Sequence, residues 1–176
     1  MDKKHAQLIA AMTEYDKGDA RRIQHFMKVH DYAVTIATLE GMDESILSVL
    51  ETTAILHDIG IHVSERKYGS SAGHYQELEG PAEARKLLDR LGGYTEAETD
   101  RVCWLIAHHH TYRDINALDY QILVEADFLV NAYEDSMSVE AIKTFRNKIF
   151  RTPSGISLLN DMFGLDPDVS RQASPE

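Results

Sequence analysis

The stretch that most constrains this chain is Ala54-Ile55-Leu56-His57-Asp58-Ile59-Gly60, an apolar run that ends in a histidine, an aspartate and a glycine. Ile46, Val49, Leu50, Thr53, Ala54 and His57 recur at the spacing of one helical face, so His57 closes a stripe that faces the interior. Gly60 is expected to supply the left-handed residue that stops this helix. A carboxylate at the inner end of an apolar helix needs partners, because burying it unpaired costs several kcal/mol or drives it to take up a proton. Two arrangements meet that need. One is a hydrogen-bonded core histidine followed by a capping aspartate. The other is a divalent metal, which takes neutral imidazole and carboxylate as ordinary ligands. The dipeptide by itself admits both.

The chain has 176 residues, enough for one domain with a substantial core. Its 18 basic residues stand against 29 acidic ones, for a net charge of −11. That balance disfavours extended nucleic acid, whose binding depends on neutralising many phosphates with Lys and Arg. A small phosphorylated molecule stays compatible if a metal or a few local basic groups supply positive charge. Cys103 is the lone cysteine, which excludes an internal disulfide and suits a reducing compartment. With no signal-peptide pattern and no long uncharged apolar span, the expectation is a cytoplasmic protein without a membrane partner. A homodimer is compatible with everything in the sequence.

In chain order, residues 3–16 read as a short amphipathic helix with Leu8, Ile9 and Met12 inward, broken at Lys17-Gly18-Asp19. A second helix, 21–40, carries His25, Val29, Tyr32, Ala33, Ile36 and Ala37 on its inner stripe, with Arg22 one turn before His25. His30 falls off that stripe and reads as a surface residue. Residues 61–76 read as a loop containing Arg66, Lys67 and Tyr68, long enough to act as a lid or binding loop. Glu77, Glu79, Gly80 and Pro81 are expected to precede a helix with Ala84, Leu87, Leu88 and Leu91 inward. His74 has no periodic context. Thr95 and Glu98 have capping-box spacing and open a helix whose stripe of Val102, Leu105 and Ile106 leads into His109 and His110. His108, His109 and His110 span most of a turn, so at most two of them share a site. From Leu118 a further helix places Leu123, Asp127, Val130 and Glu134 on one side, with Asn131 one turn after Asp127. A carboxylate inside so apolar a run is rarely buried without a partner. Helices over 138–150 and 154–164 close the domain, and 166–176 reads as a frayed tail. No alternating β-branched run stands out, so the fold class is all-α.

His25, His57-Asp58 and Asp127 thus reach inward positions on three separate helices. Arg22-x-x-His25-x-x-x-Val29, Ile55-Leu56-His57-Asp58-Ile59-Gly60 and Glu125-Ala126-Asp127, in this order, resemble the HD-domain superfamily of metal-dependent phosphohydrolases over roughly residues 20–135. The segments Gln76 to Pro81 and His108 to Thr111 are similar to a branch of small proteins described only as predicted HD hydrolases. The resemblance implies a bundle of about seven to eight helices forming one domain over 1–165. It also implies one divalent transition metal (Mn, Fe, Co, Ni or Zn) per chain, held by His25, His57, Asp58 and Asp127. Branches with two or three metals carry a lysine where this chain has Ile61, and a histidine where the nearest groups here are Gln76, Glu77 and the displaced His74. His109 and His110 are accordingly expected to line the pocket or to hold a second ion.

The implied activity is hydrolysis of a phosphomonoester or phosphodiester in a small nucleotide-like or other phosphorylated metabolite. Asp58 would ligate the metal and orient the attacking water, while His109 or His110, or else Glu77, would protonate the leaving oxygen. Arg22 and Lys67 are the expected clamps for phosphate charge, and Asn131 joins the substrate-binding set. Two other readings use the same residues: a di-iron oxygenase, which needs further ligands, and a non-catalytic metal- or ligand-binding module.

Overall fold

The computed structural model describes residues 2–166, and among them every regular element is a helix. In chain order these are α1 (Lys3–Tyr15), α2 (Ala20–Leu39), α3 (Glu44–Leu56), α4 (Ile61–Tyr68), α5 (Gly73–Leu91), α6 (Glu96–Ile106), α7 (Leu118–Glu134), α8 (Val139–Ile149) and α9 (Pro153–Phe163). The all-α expectation holds. The tail 167–176 lies outside the described residues.

Helix starts follow side-chain chemistry. Asp2, Asp19, Ser138 and Thr152 each accept a hydrogen bond from a backbone N–H in the first turn of α1, α2, α8 and α9. Thr95 and Glu98 form the expected reciprocal box at α6. The apolar stripes then determine the packing. α3 lies at the centre, against α1, α2, α6 and α7. One side of it, with Leu50 and Ala54, packs into a core built with α2 and α7. The other side, with Ile55 and Leu56, packs into a second core with Leu8, Met12, Phe26, Leu88 and Ile106. The apolar stretch Glu44–Tyr68 is long enough to cross a membrane by composition, yet two thirds of its most apolar window is buried inside the fold.

Four expectations need correction. Residues 61–76 are not a loop. α4 occupies 61–68 and stops at Gly69, which is left-handed (φ 65°), and α5 begins at Gly73. Ile61, Val63 and Ser64 are buried, so tertiary packing holds eight residues that are too short to persist as a helix alone. Pro81 sits inside α5 rather than before it. α4 is thus one helix beyond the segments read from periodicity, within an all-α bundle as expected. Gly60 is right-handed (φ −73°), so it does not end α3 by adopting the left-handed conformation. It is required for clearance, since a Cβ there would lie 2.8 Å from the Gln76 carbonyl oxygen and 2.8 Å from the Gly80 nitrogen. α5 thereby passes directly against the α3–α4 junction. His30, read as a surface residue, is only 3% exposed.

Candidate metal centre

His57 and Asp58 sit at the end of α3, where the chain turns into α4. α2 delivers His25 from one side and α7 delivers Asp127 from the other. His25 Nε2 lies 3.2 Å from His57 Nε2 and 3.2 Å from Asp127 Oδ1. His57 Nε2 is 3.5 Å from Asp127 Oδ1, and Asp58 Oδ2 stands 3.6 Å from the Nε2 atoms of both histidines. An ion with donors about 2.1 Å away sets neighbouring donors about 3.0–3.4 Å apart, for octahedral to tetrahedral shells. The four side chains therefore fit a divalent ion with little adjustment.

Backbone and carboxylate contacts hold the imidazoles in the required tautomer. His57 Nδ1 donates to the Ala54 carbonyl at 2.8 Å, and His109 Nδ1 donates to that of Ile106 at 2.7 Å. A carbonyl only accepts, so the proton is on Nδ1 and each Nε2 offers a lone pair. His25 Nδ1 sits 3.1 Å from Glu134 Oε2, and Lys28 bonds the other oxygen of Glu134 at 2.5 Å. A carboxylate behind a ligating imidazole is the usual device for orienting the ring and raising its basicity. Glu134 was placed on the inner side of its helix by periodicity, two turns after Asp127, but that spacing alone did not mark it as a partner of His25.

The electrostatics agree with the geometry. Burial opposes charge on His25, but Asp127, Asp58 and Glu134 outweigh it and raise this imidazole to about 9. Burial likewise opposes charge on His57, and Asp58 and Asp127 again prevail. Asp58 and Asp127 are pushed upward by burial but are held well below the usual carboxylate range by the surrounding histidines. Two ionised carboxylates in a closed site demand positive charge. A divalent cation meets that demand while leaving the Nε2 lone pairs free to coordinate it.

The second oxygen of Asp58 faces elsewhere. Oδ1 lies 3.5 Å from His109 Nε2, a fully buried atom with no hydrogen-bond partner. Ligand atoms of Asp58, His109 and His110 all fall within 4.8 Å of one another, and His110 Nε2 is also buried and unpartnered. Burial, reinforced by His109, pushes His110 down to about 4, so it is neutral near pH 7. A neutral imidazole is the form that ligates a metal. A Cβ on Gly73 would meet the His110 ring at 2.7 Å, so the start of α5 closes tightly over it. His108 turns away, stacked on Trp104 at 4.1 Å with Nδ1 bonded to the Trp104 carbonyl.

His25, Asp58, His110 and Asp127 line one cavity of about 330 Å³, which also includes Asp19, Arg21, Arg22, Gln76, Asn131 and Glu134, while His57 and His109 are fully buried and do not line it. Arg22 reaches it, but its guanidinium is already bonded to His62 (3.0 Å), Asp19 (3.1 Å) and Glu65 (2.6 Å). Asn131 Nδ2 donates to Asp127 Oδ1 at 2.8 Å. Three expected contributors are not among the cavity-lining groups, the fully buried His109 being one of them. Lys67 pairs with Glu79 at 2.5 Å on the exposed face of α4, pointed there by the helical turn that replaces the expected loop. Glu77 accepts from the His110 N–H and the Thr111 hydroxyl, both at 3.0 Å, and so pins the turn after α6. His74 is exposed beside Tyr75. A larger groove of about 490 Å³ lies between the α2–α3 connection and the start of α7, but its one cation, Arg101, is locked to Asp119 by two hydrogen bonds.

An all-α domain with a convergent His/Asp centre at the end of a central helix defines a candidate metalloprotein class. The chain belongs to the HD domain family, whose model matches residues 22–146. It is also similar in fold to a crystal structure described as a predicted HD superfamily hydrolase from an uncultured Thermotogales bacterium. That likeness has a TM-score of 0.63 at 24% identity, covering 90% of this chain and 84% of the other. Among curated proteins, no match is found.

Proposed function

We propose that the protein is a metal-dependent phosphohydrolase acting on a small phosphorylated metabolite in a reducing, cytoplasmic setting. The observation that carries this reading is the way Asp58 divides its two oxygens. Oδ2 joins His25, His57 and Asp127, while Oδ1 faces the unpartnered Nε2 of His109. A divalent ion in the first group supplies a Lewis acid for phosphoryl oxygens and lowers the pKa of water. Asp58 Oδ1, which faces His109, orients the attacking water. His109 Nε2 accepts a proton there and returns it to the leaving oxygen as the P–O bond breaks. Arg22, fixed by Asp19 and Glu65, places a guanidinium in the cavity wall near the phosphate charge. Asn131 holds Asp127 in its ligating orientation and contributes to the wall. His110, neutral through burial, completes a second group with Asp58 and His109 that suits a second ion.

The test is elemental analysis of protein purified without chelator, followed by hydrolysis of p-nitrophenyl phosphate and bis-p-nitrophenyl phosphate with the ion found. One transition metal per chain, with hydrolysis abolished by Asp58→Asn, is the expected result. Two irons per chain without phosphoester hydrolysis would favour an oxygenase built on both groups. No metal after incubation with manganese or nickel would leave a binding module.

A further inference from the structure

The amide of Gln76 is 7% exposed and lines the metal cavity from the first turn of α5. Its Nε2 donates to the Ser71 carbonyl at 2.7 Å. Because a carbonyl cannot donate, this bond determines which end of the amide is which. Gln76 Oε1 is therefore a buried acceptor, and it has no partner in the protein. Asn131 is oriented in the same way, since Nδ2 donates to Asp127 Oδ1 at 2.8 Å and its own Oδ1 remains as an acceptor. The wall's own cations do not answer these oxygens. Arg22 is bonded to Asp19 and Glu65, and Arg21 is paired with Asp135 at 3.3 Å.

The cavity also limits what enters. At about 330 Å³ it lies near the floor of the range for small-molecule sites, about 300–1,000 Å³. No Phe, Tyr or Trp lines it, and Ile61 is its one aliphatic side chain. A nucleobase finds no apolar platform among these residues. A compact leaving group that donates hydrogen bonds, such as hydroxyls, finds two neutral amide oxygens to accept them. From this arrangement we infer that the substrate is a small polyol phosphate and that Gln76 Oε1 is the group that selects its hydroxyls. The inference rests on the phosphohydrolase reading above.

Glycerol 2-phosphate and isopropyl phosphate test it, because they share a branched three-carbon skeleton and differ by two hydroxyls. The metal-loaded native protein should prefer glycerol 2-phosphate by at least about tenfold in kcat/KM, and should prefer it to adenosine 5′-monophosphate. Gln76→Met, which keeps the length and removes the acceptor, should reduce the first preference to about twofold, chiefly through KM for glycerol 2-phosphate. Parity of the native protein on the first pair, or a preference for the nucleotide, would overturn the polyol assignment. A preference that survives in Gln76→Met would remove Gln76 as the selecting group. Calorimetric titration with the same three compounds separates this inference from the reading beneath it. Preferential binding of glycerol 2-phosphate without hydrolysis would uphold the selectivity and refute the phosphohydrolase. Neither binding nor hydrolysis of any of the three would refute both.

Discussion

Replacing Glu134 should weaken metal binding although it is not itself a ligand. Its Oε2 holds His25 Nδ1 at 3.1 Å, which directs Nε2 toward His57 and Asp127. Loss of such a carboxylate typically costs 10–100-fold in affinity, or about 1.4–2.7 kcal/mol. Competition against a chromophoric chelator, with zinc or manganese as the probe, should place Glu134→Ala in that range and Glu134→Gln nearer the lower end, since an amide still accepts. Chelator-stripped protein gives an independent reading through protons. His25 is raised from 6.5 to about 9, a shift of about 3 kcal/mol shared among Asp127, Asp58 and Glu134 and already net of the burial penalty. A folded-state value above the unfolded one stabilises fully below about pH 6.5 and fades as the pH rises through about 9. Glu134→Ala should therefore lose about 1 kcal/mol of urea stability at pH 6, with a smaller deficit at pH 10. Affinity within twofold of native, together with a deficit independent of pH, would refute the argument that Glu134 acts through His25.

Asp127→Ala should remove the rise in melting temperature that added metal gives the native protein, a rise that grows as RT ln(1 + [L]/Kd). A full metal-dependent shift in that variant, read by differential scanning fluorimetry, would contradict the four-ligand arrangement. His30 is buried with neither ring nitrogen within hydrogen-bond distance of a partner, its Nδ1 standing 3.6 Å from Asp31, and burial, against Glu51 and Asp31, lowers its proton affinity. Its stabilising neutral form is complete above about pH 6.5 and is eroded as the pH falls below that value. His30→Leu should therefore gain about 1–3 kcal/mol, with a margin over native that widens from pH 8 to pH 5 in denaturant melts. A constant margin would show that His30 is satisfied by some other means. Gly60→Ala forces a Cβ against the Gln76 and Gly80 backbones and should cost about 1–3 kcal/mol. Calorimetry should show about 2–4 °C lost per kcal/mol, and an unchanged melting temperature would mean that α5 yields freely.

Periodicity alone was enough to place His25, His57 and Asp127 on inward faces, because a 3.6-residue repeat states which side chains share a side wherever the helix later packs. It also made the all-α class and the approximate bounds of most helices legible, and the cap at Thr95 was readable because it depends on residues three positions apart. What it could not supply was any distance between helices. The bond from His25 to Glu134 joins residues 109 positions apart, and the facing of Asp58 Oδ1 to His109 depends on how α3 and α6 meet. α4 was missed because its stability comes from burying Ile61, Val63 and Ser64 rather than from its own propensity. With α4 misread, Lys67 was sent to the cavity when the helical turn pairs it with Glu79. His30 was misplaced because α2 is covered on more sides than one stripe. The sequence by itself determined which groups face inward. Only the packing of α2, α3, α6 and α7 decided which of them meet, because meeting depends on three-dimensional approach between segments that carry no mark of one another.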